Sequence, residues 1–553
     1  MALSGKSSLQ TMLKTILLTS LVFTVPIVGA RWFGWFESSE LAAYDDFIRR
    51  RPAEKPDDRI VIVTIGDEDI QALQQYPIHD SKFAEMLEKL ERYQPRAIGL
   101  DIARDMPYGP TAGWKQLTQV IKQNENIFSS CFLSNDKNPG SPPAPGTPDE
   151  RVASPIFPKN ANQADKIVRQ VFLVDTPGKF SQPNRTNHLC NNADPKNEIL
   201  SLSLQLALIY LENSGIKSDS DAKGDIQLGK KILYRLDSRF GGYVNADTNS
   251  LMLNYRSAKQ AFREVSISDV LGDKINPQSI RDRIILIGNT SDVSKDLLPT
   301  PIESQTSSGD TYGVVVHAHA VSQILSTVLD QRPLIQSWAE PIEMLWIWVW
   351  SLGSGLMAFY NRRLGFFLIG VIITGGGLWG ICYGLFFSQG LWIPLVPTML
   401  TVILTALSVR GVDLAERSGY AQAFYEQLQE QMRGNAAGRD QRGNYLESLV
   451  RRARVARQGQ DAAALLALAP NTDLDAAASP TMQALYEKVS QQVRQELEAE
   501  QLVQKTAIGQ AVRASSNSTR LKTLLTRAQQ SRTRLLDSPM AKSPDHNSPP
   551  NSL

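Results

Sequence analysis

Acidic and amide side chains stand wherever a buried apolar run of this chain stops. Asp67, Glu68 and Asp69 follow the run Arg59–Gly66, Asp101 closes the run that begins at Ala97, and Asn289 follows Arg283–Gly288. If those runs are strands, their carboxyl ends form the crevice in which open α/β sheets bind ligands. Such residues would line one pocket and hold a ligand through carboxylate and amide hydrogen bonds. For Asp67–Asp69 the competing reading is a solvated turn that caps the next helix. Asp101 is the sharper candidate, because a carboxylate closing a buried strand needs a partner; Arg96, Arg104 and Arg256 are the cations considered for it.

Other motifs carry less chemistry than their spelling suggests. His317 and His319 share a face on a strand but not on a helix. They fall at a strand-to-helix boundary with no third ligand evident, so packing at the membrane-proximal face is expected and no metal. Gly375-Gly376-Gly377-Leu378-Trp379-Gly380 matches a dinucleotide fingerprint in letters. It lies inside a membrane-length apolar stretch rather than between a strand and a helix, so no cofactor is expected. Gly376, Gly380 and Gly384 instead read as a packing ridge, within a helix bundle or across a dimer. Neither G-x-S-x-G nor any distinctive pair of carboxylates supports hydrolase chemistry.

The elements that must position these residues are legible as patterns. Ile60–Ile65, Ala97–Ile102 and Ile284–Ile287 are β-branched runs typical of strands buried on both faces. Ser81–Tyr93 carries an apolar stripe at helical spacing, and Trp114–Lys122, Ile199–Leu211 and Val316–Leu329 read as further helices. Ile127–Leu133, Val168–Val174, Lys231–Leu236 and Leu251–Tyr255 read as strands. Asn135–Pro148 and Thr176–Asn197 are loops, and Phe240-Gly241-Gly242-Tyr243 is a turn. This alternation predicts an α/β domain with a mixed, largely parallel sheet over residues 37–337.

Membrane-length apolar stretches bracket that domain. One is Ile16–Ala30, preceded by Lys6 and Lys14 and followed by the aromatic cluster Trp32–Phe36. It reads as a retained anchor, with a cleaved signal peptide as the alternative. The others are Ile342–Tyr360, Leu364–Phe387 and Leu391–Val409. Arg362 and Arg363 fall in one loop, Ser388-Gln389-Gly390 in the next, and Arg410 and Arg417 follow. The positive-inside rule then puts residues 1–36 as cytoplasmic leader and first span, 37–337 outside, 338–409 as a three-helix block, and the tail 410–553 inside a plasma membrane. Among the three cysteines of the 553-residue chain, Cys382 is intramembrane. Cys131 and Cys190 are open to disulfide pairing if their region is extracytoplasmic. The net charge of +2 gives no general field for nucleic acid.

The succession of features resembles the type 2 CHASE family, the extracytoplasmic sensory domains associated with cyclases and histidine kinases. Tyr44-Asp45 with Arg49–Pro52, Ile60–Ile65, Ala97–Ile102, Asn254-Tyr255-Arg256, Val265–Leu271, Asp282–Gly288, Lys295-Asp296 followed by Thr300-Pro301, Gly313–His319 and Arg332-Pro333-Leu334 carry it. The family's layout implies a sensory domain followed by three membrane helices. In the tail, Leu414, Ala421 and Leu428 suggest a short coiled coil. Arg451, Arg452, Arg454 and Arg457 mark a stripe suited to anionic lipid or to solvent, and Ser479-Pro480 starts a polar helix. Residues beyond about 538 have a disordered composition. The tail shows no kinase, cyclase or P-loop signature. The expectation is therefore a membrane sensor, not an enzyme, that takes an unknown ligand outside and engages a cytoplasmic protein through the tail. The alternative is an assembly protein whose outer domain is a protein-binding module.

Overall fold

The computed structural model describes residues 2–417 except 159–165, 183–185, 222–223, 238, 245–248, 257–259, 295, 303–309 and 362. The readings of the tail beyond residue 417, and that of Lys295, lie outside the described residues.

A long helix α1 (Ala2–Trp32) turns into α2 (Glu37–Arg49). The chain then lays down β1 (Ile60–Ile65), α3 (Asp67–Leu73), α4 (Asp80–Arg92), β2 (Ala97–Asp101), α5 (Thr111–Gln123), β3 (Ile127–Ser130) and β4 (Val152–Ala153). An irregular stretch containing α6 (Leu202–Glu212) precedes β5 (Arg263–Ser266), α7 (Ile267–Leu271), β6 (Ile284–Asn289) and α8 (Gly313–Leu329). These six strands form one sheet in the order β5-β1-β6-β2-β3-β4, and every pairing in it is parallel. The expectation of a mixed sheet is corrected: the antiparallel pairs, such as Gln170–Phe172 with Ser250–Met252, lie outside it.

Side chains alternate across the strands into two separate cores. Ile60, Ile62, Ile284 and Leu286 meet α2, α6 and α8, while Val61, Val63, Ile285 and Ile287 meet α4, α5 and α7. Both strand faces are thus dry, which explains the unbroken β-branched runs. Helix α8 comes so close to β6 that a Cβ on Gly288 would lie 2.4 Å from the Cβ of Val314. Only glycine fits there. The apolar stretch from Ile199 is a short strand, Ile199–Leu200, followed by α6, with Ser201 capping the helix through the Leu204 amide.

The first core does not stop at the domain edge. It continues through Leu378, Cys382, Phe386, Trp392 and Ile393, residues of or next to α10 (Leu364–Gln389), which follows α9 (Glu340–Tyr360). Tyr44 and Phe47 of α2 pack against Phe386, at 5.6 and 5.4 Å between ring centroids. The Tyr383 hydroxyl donates to the Arg50 carbonyl at 2.7 Å. Helix α11 (Val396–Arg417) does not begin at Leu391 as the apolar run suggests. Gly390 adopts a left-handed conformation (φ +69°), and Gln336 exchanges backbone hydrogen bonds with Gly390 and Trp392 at 2.8 and 2.7 Å. The buried carboxylate of Glu40 then accepts from the Leu395 and Val396 amides at 3.1 and 2.6 Å, capping α11 from another element. Burial pushes the Glu40 carboxyl up to about 7, against the lowering effect of the Val396 amide and of Arg31.

Among the described residues three helices are long and apolar enough to cross a membrane: Leu13–Trp32, Glu340–Tyr360 and Leu364–Gln389. The apolar part of α11, Val396–Val412, is shorter than the roughly 20 residues a bilayer core takes. Close helix approaches in the bundle fall at Gly355, where a Cβ would meet Ile16 at 2.9 Å and Thr405 at 3.4 Å, and at Gly370 of α10, where it would meet Met357 Sδ of α9 at 2.5 Å. Gly376, Gly380 and Gly384 have no atom within 4 Å of a built Cβ. Their ridge is therefore not a seam within this bundle, because that face of α10 turns away from α9 and α11.

Cys131, just after β3, is bonded to Cys190, and both are fully buried beside Leu133, Val152 and Ile199. The bridge closes a sequence separation of 59 residues. Replacing both cysteines by serine should lower unfolding stability by about 2–4 kcal/mol. Chemical denaturation of parent and double variant would measure this, and coincident midpoints would show that the bridge adds nothing.

Candidate ligand crevice at the carboxyl end of the sheet

Strands β1, β6 and β2 lie side by side, so their carboxyl ends gather the loops that carry the candidate residues. Thr64 pairs with Gly288, and Gly288 with Asp101. At the end of β1, Gly66 starts α3 in extended conformation, and its amide donates to Asp69 Oδ2 at 2.9 Å. Asp69 Oδ1 also accepts from the Ser268 amide at 3.2 Å, so this carboxylate ties α3 to α7. Asp67 accepts from the Ser291 hydroxyl and, at 3.3 Å, from the Asp292 amide, fastening the loop after β6. Glu68 is exposed. Asn289 ends β6 opposite Ile65, half-buried.

Asp101 is set differently. Its side chain is 10% exposed and its nearest charge-capable neighbour is His317 of α8, Nε2 lying 3.7 Å from Oδ1. Its Oδ2 is buried without a hydrogen-bond partner. Burial with no compensating charge pushes its carboxyl up to about 7. Asp296, in the loop leading to α8, is pushed up to about 6 by burial and then by the charge of Asp101, with His317 opposing. His317 is neutral: burial pulls it down to about 4. Its ring is committed on both sides, Nδ1 to the Ser203 hydroxyl at 2.9 Å and Nε2 to the Pro155 carbonyl at 3.0 Å. Because Nε2 donates to a carbonyl, Nδ1 accepts from the serine.

None of the three arginines considered as partners reaches Asp101. Arg96 pairs with Asp282 and Arg104 with Asp80. Arg256 lies at the opposite, amino end of the sheet, donating to the Lys55 carbonyl at 2.8 Å and to the Ser326 hydroxyl at 2.9 Å, with Asp57 at 3.5 Å. It therefore belongs to no pocket with Asp101. The Arg256 amide donates to Nδ1 of His319, whose ring sits between Tyr255 and Phe262. Burial, then the charges of Arg332 and Arg256, pull His319 down to about 3. The two histidines face opposite flanks of α8, as helical spacing requires. They are not a joint membrane-proximal feature, since His317 stands at the crevice. Among the described residues no group of three His, Cys, Asp or Glu side chains is placed to hold a metal ion.

The crevice thus unites Asp101, Asp296 and His317, with Asp67 and Asn289 on neighbouring strand ends. Asp296 entered the sequence reading only in the Lys295-Asp296 pair that carries the family resemblance, since it follows no strand and carries no periodic signal. A carboxyl kept neutral can both donate and accept a hydrogen bond, so Oδ2 of Asp101 is an unfilled hydrogen-bonding position at this end of the sheet.

The pH dependence has a definite sign. The folded chain holds the Asp101 proton up to about pH 7, whereas an unfolded aspartate loses it near its ordinary 3.8. Asp101 therefore subtracts stability progressively as pH rises across that window. Asp101→Asn should gain on the parent between pH 4 and pH 8 in thermal-melt midpoint. A pH-independent difference between the two would show that the acid is not held neutral.

A family model described as the CHASE2 domain matches residues 20–356. No curated protein and no solved structure matches the chain. The matched span runs from within α1, through the parallel sheet and its crevice, to within α9, and it covers more than half of the 553 residues. The chain belongs to the CHASE2 family of extracellular sensory domains.

Proposed function

We propose that the protein is a multi-pass plasma-membrane sensor. Residues 37–337 take a ligand outside, and the membrane helices pass its presence to a cytoplasmic protein held by the tail. The chain has no catalytic step of its own in this reading. The observation that carries it is the route followed by α8. The helix starts at the crevice with His317 beside Asp101. It ends at the opposite edge of the sheet, where Asp330 pairs with Arg59 at 2.9 Å. The segment that follows is held by Arg332, which donates to the Asn254 carbonyl and pairs with Glu54. That segment then joins Gly390 and Trp392 through Gln336, directly ahead of α11. A ligand that shifts α8 would move the start of the helix that leads to the tail.

Topology follows from charge. Lys6, Lys14, Arg362, Arg363, Arg410 and Arg417 lie on one side if α11 is a fourth crossing, and the Cys131–Cys190 bridge suits the other. The outward glycine face of α10 leaves a surface on which a second copy would pack, making the sensor a homodimer.

Thermal melts of the detergent-solubilised full chain against a panel of small polar metabolites should find a ligand that stabilises saturably. The Asp101→Asn chain should lose that response; a flat panel, or an unaltered response in the variant, would count against the sensor reading. Reporter fusions address topology separately: Ser388 should report outside and a fusion after Val409 inside. A cytoplasmic signal at Ser388 would overturn the map.

A further inference from the structure

A small cavity lies where α1 and α9 leave the apolar zone and meet the outer domain. Its walls include Val28, Arg31 and Trp32 of α1, Glu340 and Glu343 of α9, and Arg239 with the Gly241–Gly242 turn. The turn has to be glycine: Gly241 has φ +58°, and a Cβ there would lie 2.5 Å from the Trp392 ring. Arg31 spans the cavity, its guanidinium bonded to the Gly241 carbonyl and to Glu343 Oε2.

Polar atoms inside it are left over. Glu343 is 1% exposed, yet its Oε1 is buried without a hydrogen-bond partner, and so is Nε of Arg31. Leaving a buried carboxylate oxygen bare is costly, so an unfilled donor position is implied at this point. Arg239 is half-exposed at the rim. Its guanidinium lies 3.4 Å from the centroid of the Trp32 ring and 3.9 Å from Glu340 Oε1. The lining is therefore two guanidinium groups and two carboxylates, balanced in charge rather than anion-selective.

The position supplies the source. Trp32, Phe33 and Trp35 are 44%, 74% and 78% exposed just beside the cavity, as aromatic residues are at the headgroup level of a bilayer. We infer that the cavity binds the headgroup of an outer-leaflet phosphoethanolamine lipid, its primary ammonium donating to Glu343 Oε1 and its phosphate meeting Arg239. A primary ammonium can donate to Oε1, whereas the trimethylammonium of a choline headgroup has no N–H to donate. A glycerol headgroup offers Oε1 only neutral hydroxyls and brings no positive charge to it, so its hydrogen bond there is the weaker one. This assignment rests on the reading that α1 and α9 cross a membrane, and it gives the sensor's helices a lipid-dependent hold on the outer domain through Arg31 and Gly241.

Native mass spectrometry of the detergent-solubilised full chain tests it, with phosphatidylethanolamine, phosphatidylcholine and phosphatidylglycerol of matched acyl chains as probes. The parent should retain phosphatidylethanolamine about tenfold more strongly than phosphatidylcholine, a difference of about 1.4 kcal/mol. Glu343→Gln should abolish that preference, and the rim variant Arg239→Gln should reduce retention of phosphatidylethanolamine without altering the melt. Equal retention of all three lipids, strongest retention of phosphatidylglycerol, or a preference that survives in Glu343→Gln would overturn the assignment. So would a water alone at Oε1 in a high-resolution map made with phosphatidylethanolamine present. Should Glu343→Gln fail to fold, Arg239→Gln decides, and undiminished retention would sink the idea. A chain released from membranes by alkaline wash without detergent would instead defeat the membrane reading itself. A chain that needs detergent but ignores headgroups defeats only the lipid assignment.

Discussion

A parallel sheet must be covered on both faces, and that constraint arranges the rest of this molecule. Strands that all run one way need a return path for each connection, and helices laid on the faces provide most of them. Here α4, α5 and α7 cover one side, and α2, α6 and α8 the other. Helix α8 leaves the carboxyl end of β6 and must run back along the sheet to cover it. It therefore has one end at the crevice and the other at the edge facing the membrane helices. The path from the Asp101 end of the sheet to the segment before α11 is a by-product of covering the sheet.

Charge is sorted along the same helix. At the amino end of the sheet, Asp57 is buried but gathers Arg59, Ser322 and Arg256, and Arg59 with its hydrogen bonds holds its carboxyl below the ordinary value despite burial. At the carboxyl end, Asp101 is 10% exposed and no arginine reaches it, so burial keeps it neutral up to about pH 7. Two aspartates at opposite ends of one sheet thus differ in how fully their oxygens are satisfied. The first is a satisfied lock, and the second keeps an unfilled acceptor.

The junction with the membrane helices is equally specific. Glu40 caps α11, Gly242 leaves room for Glu40 where a Cβ would lie 2.6 Å away, and Trp392 packs on Tyr44 at 5.4 Å. Three separate stretches of chain converge there, and each supplies what the others lack: a carboxylate, a side-chain-free turn, a large ring. One apolar core runs through this junction, so the sheet domain and α10 are joined by packed side chains and not by a bare linker.

Local pattern determined a great deal by itself. The β-branched runs at Ile60, Ala97 and Ile284 could only be doubly buried strands, the stripe from Phe83 to Leu90 only a helix, and the apolar stretches of α1, α9 and α10 membrane-length helices, because each of these depends on periodicity or length alone. The position of Asp101 at a strand end was readable for the same reason. What it faces was not: Arg96, Arg104 and Arg256 looked equally available until the tertiary structure gave each another partner. The fully parallel register, the place of Asp296, the outward glycine face of α10 and the late start of α11 were likewise decided only in three dimensions. Each depends on which distant segment arrives alongside, and a single chain's local chemistry carries no record of that. Leu391–Leu395 shows the limit plainly: it is apolar enough for helix, yet Gln336 and Glu40, far away in sequence, take its backbone for themselves.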